Sequence, residues 1–231
     1  MGEHTVSSFD EELKSIDRLI RDMGSLAESM VETSIAALLA SDVALAQQVI
    51  SEDAIMDARQ RALDEQAITI IARRQPMAQD LRAVIGAIRT AGDLERIGDL
   101  AKNIAKRVGA VGKAAPGDLS HSIDAMSKLV LDQVRRVIDL YEARDAEGLK
   151  ILRVDDQKID VKYTSVFREL LTYMMEDPRN ITACTHLLFC AKNLERIGDH
   201  VTNIAENVYF VLKGEQLPVH RPKVDETATS V

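Results

Sequence analysis

The chain has 231 residues, enough to bury a substantial core in one or two domains. Its formal charge of −8 and its 3% content of aromatic residues argue against nucleic acid as a partner, because duplexes bind basic patches and single strands stack on aromatic side chains. Charged residues make up 29% of the chain while glycine and proline are sparse, a composition typical of long amphipathic helices.

The N-terminal segment MGEHTVSSFD is polar and acidic, without the basic and apolar regions of a secretory signal. The longest apolar run, IAALLA at residues 35–40, is far too short to cross a bilayer. We therefore expect a cytoplasmic protein without membrane insertion. Cys184 and Cys190 face different sides of one predicted helix, so we expect reduced core residues rather than a disulfide.

Helical periodicity continues along most of the chain, with few interruptions. Ser41–Asp42 offers an N-cap for a second helix, while Pro76 and Pro178 stand where two later helices should begin. The stretch VGAVGKAAPGD at 108–118 concentrates glycine and proline and is the best linker candidate. The predicted helices span residues 8–40, 42–73, 77–109, 118–143, 145–176 and 179–213.

Several of these helices exceed 25 residues, and rods of that length stay ordered only by packing against neighbours. Short connections make successive helices antiparallel. The sequence therefore predicts an all-α fold of two similar antiparallel three-helix bundles. We place the first bundle at 1–110, a linker at 111–117, the second bundle at 118–213 and a disordered tail at 214–231.

An internal repeat supports this division into two bundles. The segment LERIGDLAKNIAKR at 94–107 returns as LERIGDHVTNIAENV at 194–208, with the same apolar positions. Carboxylates spaced i, i+4 recur in the same order in both halves, so internal duplication is the simplest account. The four pairs are Asp53 and Asp57, Glu95 and Asp99, Asp156 and Asp160, and Glu195 and Asp199.

On a helical wheel, Glu95 and Asp99 lie on a stripe away from the apolar seam of their helix, and Glu195 and Asp199 lie at the same angles. Like charges at i, i+4 destabilise a helix by a few tenths of a kcal/mol, roughly 0.2–0.5. A glycine inside a helix adds about 1 kcal/mol. A bound multivalent cation would offset the repulsion, so the eight carboxylates are candidate metal ligands.

Two other interpretations stay open. The first is a metal-free helical scaffold with solvated acidic stripes, in which Arg96 and Lys102 make ordinary surface ion pairs with Asp99. The second is a ferritin-like di-metal carboxylate enzyme, but the Glu-x-x-His motif of that class is missing and His200 has leucine at the matching position. Since no nucleophile–base pair or phosphate-cradling glycine loop is found either, we expect no enzyme.

The doubled LERIGD…NIA segment resembles the PhoU family, as do RQPMAQDLR at 74–82 and EDPRN at 176–180, and the likeness extends over roughly residues 8–213. The resemblance implies a cytoplasmic protein of two three-helix bundles, a negative regulator of the phosphate regulon and a modulator of high-affinity phosphate uptake. It implies a homodimer that contacts the ATPase subunit of the phosphate ABC transporter and the regulon's sensor histidine kinase.

Some members of the family carry multinuclear iron clusters on the paired acidic motifs. Carried over to this chain, one site would use Asp53, Asp57, Glu95 and Asp99, and the other Asp156, Asp160, Glu195 and Asp199. Carboxylate ligands favour iron, manganese or magnesium, with zinc as a further alternative. Asp93 is replaced by Asn193 in the second repeat, a departure that would make the sites differ in charge and metal preference.

Overall fold

The fold is all-α. The computed structural model describes the backbone of residues 2–112 and 117–217 and the side chains of residues 9–112 and 121–217. This part of the chain contains no strand. The helices are α1 (Gly2–Ala40), α2 (Val43–Arg74), α3 (Gln79–Ala105), α4 (Val108–Val111), α5 (Gly117–Ala143), α6 (Ala146–Asp155), α7 (Gln157–Glu176) and α8 (Ile181–Lys213).

The helices form two similar three-helix bundles, as the sequence predicts. Helices α1, α2 and α3 pack together, and α5, the α6–α7 rod and α8 form the second group. The groups join where α3 lies along α8 and α1 along α5, so one apolar core runs through both. Residues 113–116 of the predicted linker and 218–231 of the predicted tail lie outside the described residues, while Leu217 is buried.

The starts of α2 and α3 are set by a side-chain cap and by the local backbone conformation, respectively. The Asp42 carboxylate accepts hydrogen bonds from the backbone N–H groups of Ala44 and Leu45 at 2.8 and 3.1 Å, which confirms the predicted cap. The third helix was predicted to begin near Pro76 but begins at Gln79. Gln75 and Ala78 both have positive φ, 50° and 49°, so Pro76 lies within a tight reversal instead of the first helical turn.

The predicted helix over 145–176 is interrupted at Asp156, where a side chain from another helix contacts it. With its amide oriented to satisfy both groups, Gln133 of α5 accepts from the Asp156 backbone N–H at 3.1 Å and donates to Asp156 Oδ1 at 3.3 Å. Gln133 therefore lies at the junction where α6 ends at Asp155 and α7 begins at Gln157, and the Asp156 N–H also points to the Val154 carbonyl.

Both cysteines are buried in the core as free thiols, as predicted. Burial raises the pKa of Cys190 to about 12. None of the helices in the described ranges carries an apolar stretch long enough to span a bilayer.

Candidate carboxylate sites

The first carboxylate set comprises Asp53 and Asp57 from α2 and Glu95 and Asp99 from α3, and these groups face one another across the α2–α3 contact. Burial raises the pKa of Glu95, the Arg96 guanidinium opposes that shift, and Asp99, Asp57 and Asp53 raise it further. The structure therefore brings the four predicted residues of the first half into one electrostatic cluster.

Lys102 lies inside this first set. Its Nζ is 2.7 Å from Asp53 Oδ2 on α2 and 2.5 Å from Asp99 Oδ1 on its own helix, and its side chain is 17% exposed. Burial would lower the pKa of Lys102, but its hydrogen bonds to the two carboxylates outweigh burial and raise it. The ion pair of Lys102 with Asp99 in the metal-free interpretation is present, but it is not an ordinary surface pair, because the ammonium is mostly buried and bridges two helices.

The other basic residues around the first set lie further out. Arg96 is 3.6 Å from both Glu95 and Asp99, and Arg61 is 4.0 Å from Asp57. Each carboxylate of the first set therefore has a cationic side chain within 4.0 Å.

The second carboxylate set comprises Asp156 and Asp160 at the α6–α7 junction and Glu195 and Asp199 on α8. Asp156, Asp160 and Glu195 are only 1%, 4% and 6% exposed. Glu195 is buried although the helical wheel places it away from the apolar seam of α8, because α7 packs against α8 on that side. Burial raises the pKa of Glu195, Lys192 opposes that shift, and Asp199 and Asp160 raise it further.

Two of the three cations of the first set, Lys102 and Arg61, are not reproduced in the second, whereas Arg96 returns as Arg196. Thr202 occupies the position that matches Lys102, and its hydroxyl donates to the Gly198 carbonyl at 3.1 Å. Thr164 occupies the position that matches Arg61, and its hydroxyl donates to the Asp160 carbonyl, also at 3.1 Å. Lys192 supplies an ammonium instead, 2.8 Å from Glu195 Oε2, from a side chain that is 41% exposed.

The repeated glycine leaves room for the facing helix. A Cβ on Gly98 would lie 3.3 Å from Met56 Cγ, and a Cβ on Gly198 would lie 3.1 Å from Ile159 Cδ1, at the matching position of the other half. In the second half the space is tighter still, since that Cβ would also lie 2.7 Å from Asp156 Oδ1. The glycines thus let each pair of motif-bearing helices pack closely.

A polar contact that the sequence did not reveal links the two repeats. Asp93 Oδ1 on α3 is 2.9 Å from His200 Nδ1 on α8, and Asn203 and Asn207 donate to the same carboxylate at 3.3 and 3.2 Å. Asp93 therefore contributes to the packing of α3 on α8, and His200 is a hydrogen-bonded residue of that interface.

The fit of these residues to a metal differs between the halves. All eight candidates are carboxylates, which hard cations prefer. Over residues 9–112 and 121–217, no three His, Cys, Asp or Glu side chains are arranged to hold one metal ion. The first set does not fit a metal while Lys102 bridges it. The second has suitable donors, but they would have to reorient to share an ion.

The sequence did not predict the roles of three residues around these sets. Gln133 carries no motif, and only the packing of α5 brings it to Asp156. The sequence places Lys102 three residues after Asp99, but the contact of Lys102 with Asp53 depends on how α2 and α3 are aligned. Lys192 replaces Gly92 of the first repeat, and that difference was the available signal.

An all-α chain with two like three-helix bundles, each carrying the same carboxylate motif between two of its helices, defines a class of duplicated helical-bundle proteins. Comparison with known proteins places the chain within that class. The PhoU domain matches residues 20–108 and 123–208, once in each half, and the chain belongs to the PhoU family.

The similarity to known relatives extends over nearly the whole chain. A phosphate-specific transport system accessory protein PhoU homolog of Rhizobium meliloti is 57% identical over 98% of this chain and 96% of its own length. One of the same description from Caulobacter vibrioides is 48% identical over 97% and 98%. The crystal structure of PhoU from Pseudomonas aeruginosa matches with a TM-score of 0.86 and 36% identity, over 90% of this chain and all of that one.

Proposed function

We propose that this chain is an accessory protein of phosphate transport, a negative regulator of the phosphate regulon and a modulator of high-affinity phosphate uptake. The supporting observation is its end-to-end similarity to a phosphate-specific transport system accessory protein, 57% identical over 98% of the chain. Both halves also keep the packing of the motif helices, since Gly98 and Gly198 face matching residues across equivalent contacts.

The mechanism that we propose is that of a cytoplasmic adaptor, which binds partners and carries out no chemical turnover. It would contact the ATPase subunit of the phosphate ABC transporter and the sensor histidine kinase of the regulon, and hold the kinase inactive while phosphate is ample. The motif helices expose apolar side chains beside their carboxylates, with Ile55 on α2 49% and Val161 on α7 55% exposed. Apolar groups next to charges are suited to specific contacts with another protein.

Within this mechanism, the second carboxylate set is the better candidate for a regulatory cation. Asp156, Asp160 and Glu195 are buried together, so a bound cation would change the local charge strongly and could alter the surface that a partner recognises. Carboxylate donors suit iron, manganese or magnesium.

The regulatory proposal is tested by deleting the gene and measuring phosphate-starvation reporters in phosphate-rich medium. We expect the reporters to stay on in the deletion strain and to be switched off again by the wild-type gene. Reporters that stay off in the deletion strain would overturn the proposal.

The adaptor and metal proposals are tested on one sample. Tagged chain purified without chelator from phosphate-replete cells should retain the ATPase subunit and the kinase, identified by mass spectrometry, together with a metal measured by elemental analysis. The matched control is the Glu95→Ala/Asp99→Ala/Glu195→Ala/Asp199→Ala variant. Equal metal content in both chains would favour the metal-free scaffold.

A further inference from the structure

We propose that Lys102 is a built-in counterion that takes the place of a metal in the first carboxylate set, so that this set binds a divalent cation only when the lysine is removed. The inference rests on the proposed function in treating the carboxylate sets as cation sites. It adds that the two sites of this chain have diverged.

The first step is steric. Lys102 Nζ lies 2.7 Å from Asp53 Oδ2 and 2.5 Å from Asp99 Oδ1, so one ammonium joins a carboxylate from each helix. A metal ion bound to the same two oxygens would lie about 2.0–2.6 Å from each. That position overlaps the volume of Nζ, so the ion and the ammonium cannot be held there together.

The second step concerns charge. Arg96 lies 3.6 Å from Glu95 and from Asp99, and Arg61 lies 4.0 Å from Asp57. With Lys102 between the remaining oxygens, the repulsion that made a cation attractive in the sequence is already offset by side chains of the chain itself. A divalent ion would gain little and would be repelled by the ammonium.

The third step is the comparison with the second half, which keeps the carboxylates and loses two of these cations. Lys102 and Arg61 are matched by Thr202 and Thr164, and each threonine hydroxyl donates to a carbonyl of its own helix. Neither threonine offers a charge to the second set. The second set receives one ammonium in exchange, from Lys192 at 2.8 Å from Glu195, but that side chain is 41% exposed whereas Lys102 is 17% exposed and joins two carboxylates. The internal counterion is therefore more deeply placed in the first set than in the second.

The test uses the full chain, treated with chelator and then titrated with Mn²⁺ alone, with free Mn²⁺ counted by electron paramagnetic resonance. Lys102→Thr copies the residue of the second repeat, and Lys102→Met removes the charge while keeping the bulk, in case the first variant is unstable. Circular dichroism confirms that each variant is folded.

We expect Lys102→Thr or Lys102→Met to bind about one Mn²⁺ per chain more than wild type does. The Kd of this additional site should be at least tenfold lower than that of any Mn²⁺ binding by the first set in wild type. Adding Asp53→Asn and Asp99→Asn should abolish this gain in the lysine variant and leave wild-type stoichiometry unchanged. A lysine variant that binds no more Mn²⁺ than wild type would overturn the inference. So would loss of Mn²⁺ from the Asp53→Asn/Asp99→Asn chain when Lys102 is present.

The outcomes separate this inference from the metal role under the proposed function. If wild type binds no Mn²⁺ but the lysine variant does, the counterion inference stands and the metal role of the second set fails. If wild type binds Mn²⁺ and Glu195→Gln removes it, the metal role stands whatever the lysine variant does. The regulon reporter tests the remaining part of the proposed function independently.

Discussion

The two carboxylate sets of this chain share a sequence motif and differ in how their charge is balanced. In the first set, basic side chains lie next to the carboxylates, and Lys102 joins α2 to α3. In the second set, three carboxylates are buried and Asp156 is held by Gln133 from a third helix. The difference shows that a duplicated motif keeps its backbone packing while its electrostatics diverge through a few neighbouring residues.

Removing Gln133 should disturb the second half most. In Gln133→Leu the buried Asp156 would lose the amide that pairs with both its carboxylate and its backbone N–H. Removing one partner of a buried polar group typically costs about 1–3 kcal/mol, and we expect the upper part of that range in urea unfolding. Gln48→Leu is the matched control, because Gln48 is exposed and bonds Glu52 on its own helix. Equal effects of the two substitutions would show that the Asp156 contact is unimportant.

The two motif glycines should respond differently to alanine. Alanine improves helix propensity by about 1 kcal/mol at either position. At Gly198 its Cβ would lie 2.7 Å from the buried Asp156 carboxylate, and overpacking of this kind costs about 1–3 kcal/mol. At Gly98 the nearest atom belongs to the flexible Met56 side chain, at 3.3 Å. We expect Gly198→Ala to lower the free energy of unfolding by about 1 kcal/mol and Gly98→Ala to leave it unchanged or raise it. The reverse order would contradict the packing described above.

The pH dependence of stability should also separate the sets. The pKa of Glu195 is raised above its ordinary 4.5, chiefly by burial, so the folded chain keeps a proton that the unfolded chain releases. The stability contribution of this group is therefore present at low pH and is lost as pH rises through the raised value. In chelator, the stability of wild type relative to Glu195→Gln should fall over that range. Glu95→Gln should show the same sign with a smaller amplitude, since Glu95 is less buried. A free energy of unfolding that rises with pH in wild type relative to Glu195→Gln would contradict this prediction.

The smallest effect is expected at the edge of the first set. Arg61 and Asp57 are solvent-exposed ion-pair partners 4.0 Å apart. Exposed pairs of this kind contribute about 0–1 kcal/mol, so Arg61→Ala should change the free energy of unfolding by less than about 0.5 kcal/mol. A loss much larger than that would mean that Arg61 offsets the charge of the first set far more than an exposed ion pair does.

The sequence predicted the features that depend on periodicity and repetition. The long helices, the two bundles and the matching of the motif helices follow from apolar spacing and from the repeated LERIGD segment. The contact of Gln133 with the break at Asp156 could not be predicted, because Gln133 lies on α5. The bridge from Lys102 to Asp53 and the burial of Glu195 likewise depend on how neighbouring helices are aligned, and no local pattern records that alignment.

The most direct test of the divergence between the sets is a crystal structure grown with Mn²⁺, with an anomalous difference map calculated near the manganese absorption edge. We predict that the Lys102 ammonium lies between Asp53 and Asp99 and that no manganese peak appears between these two carboxylates. A manganese peak shared by Asp53 and Asp99, with the Lys102 side chain displaced, would contradict the account.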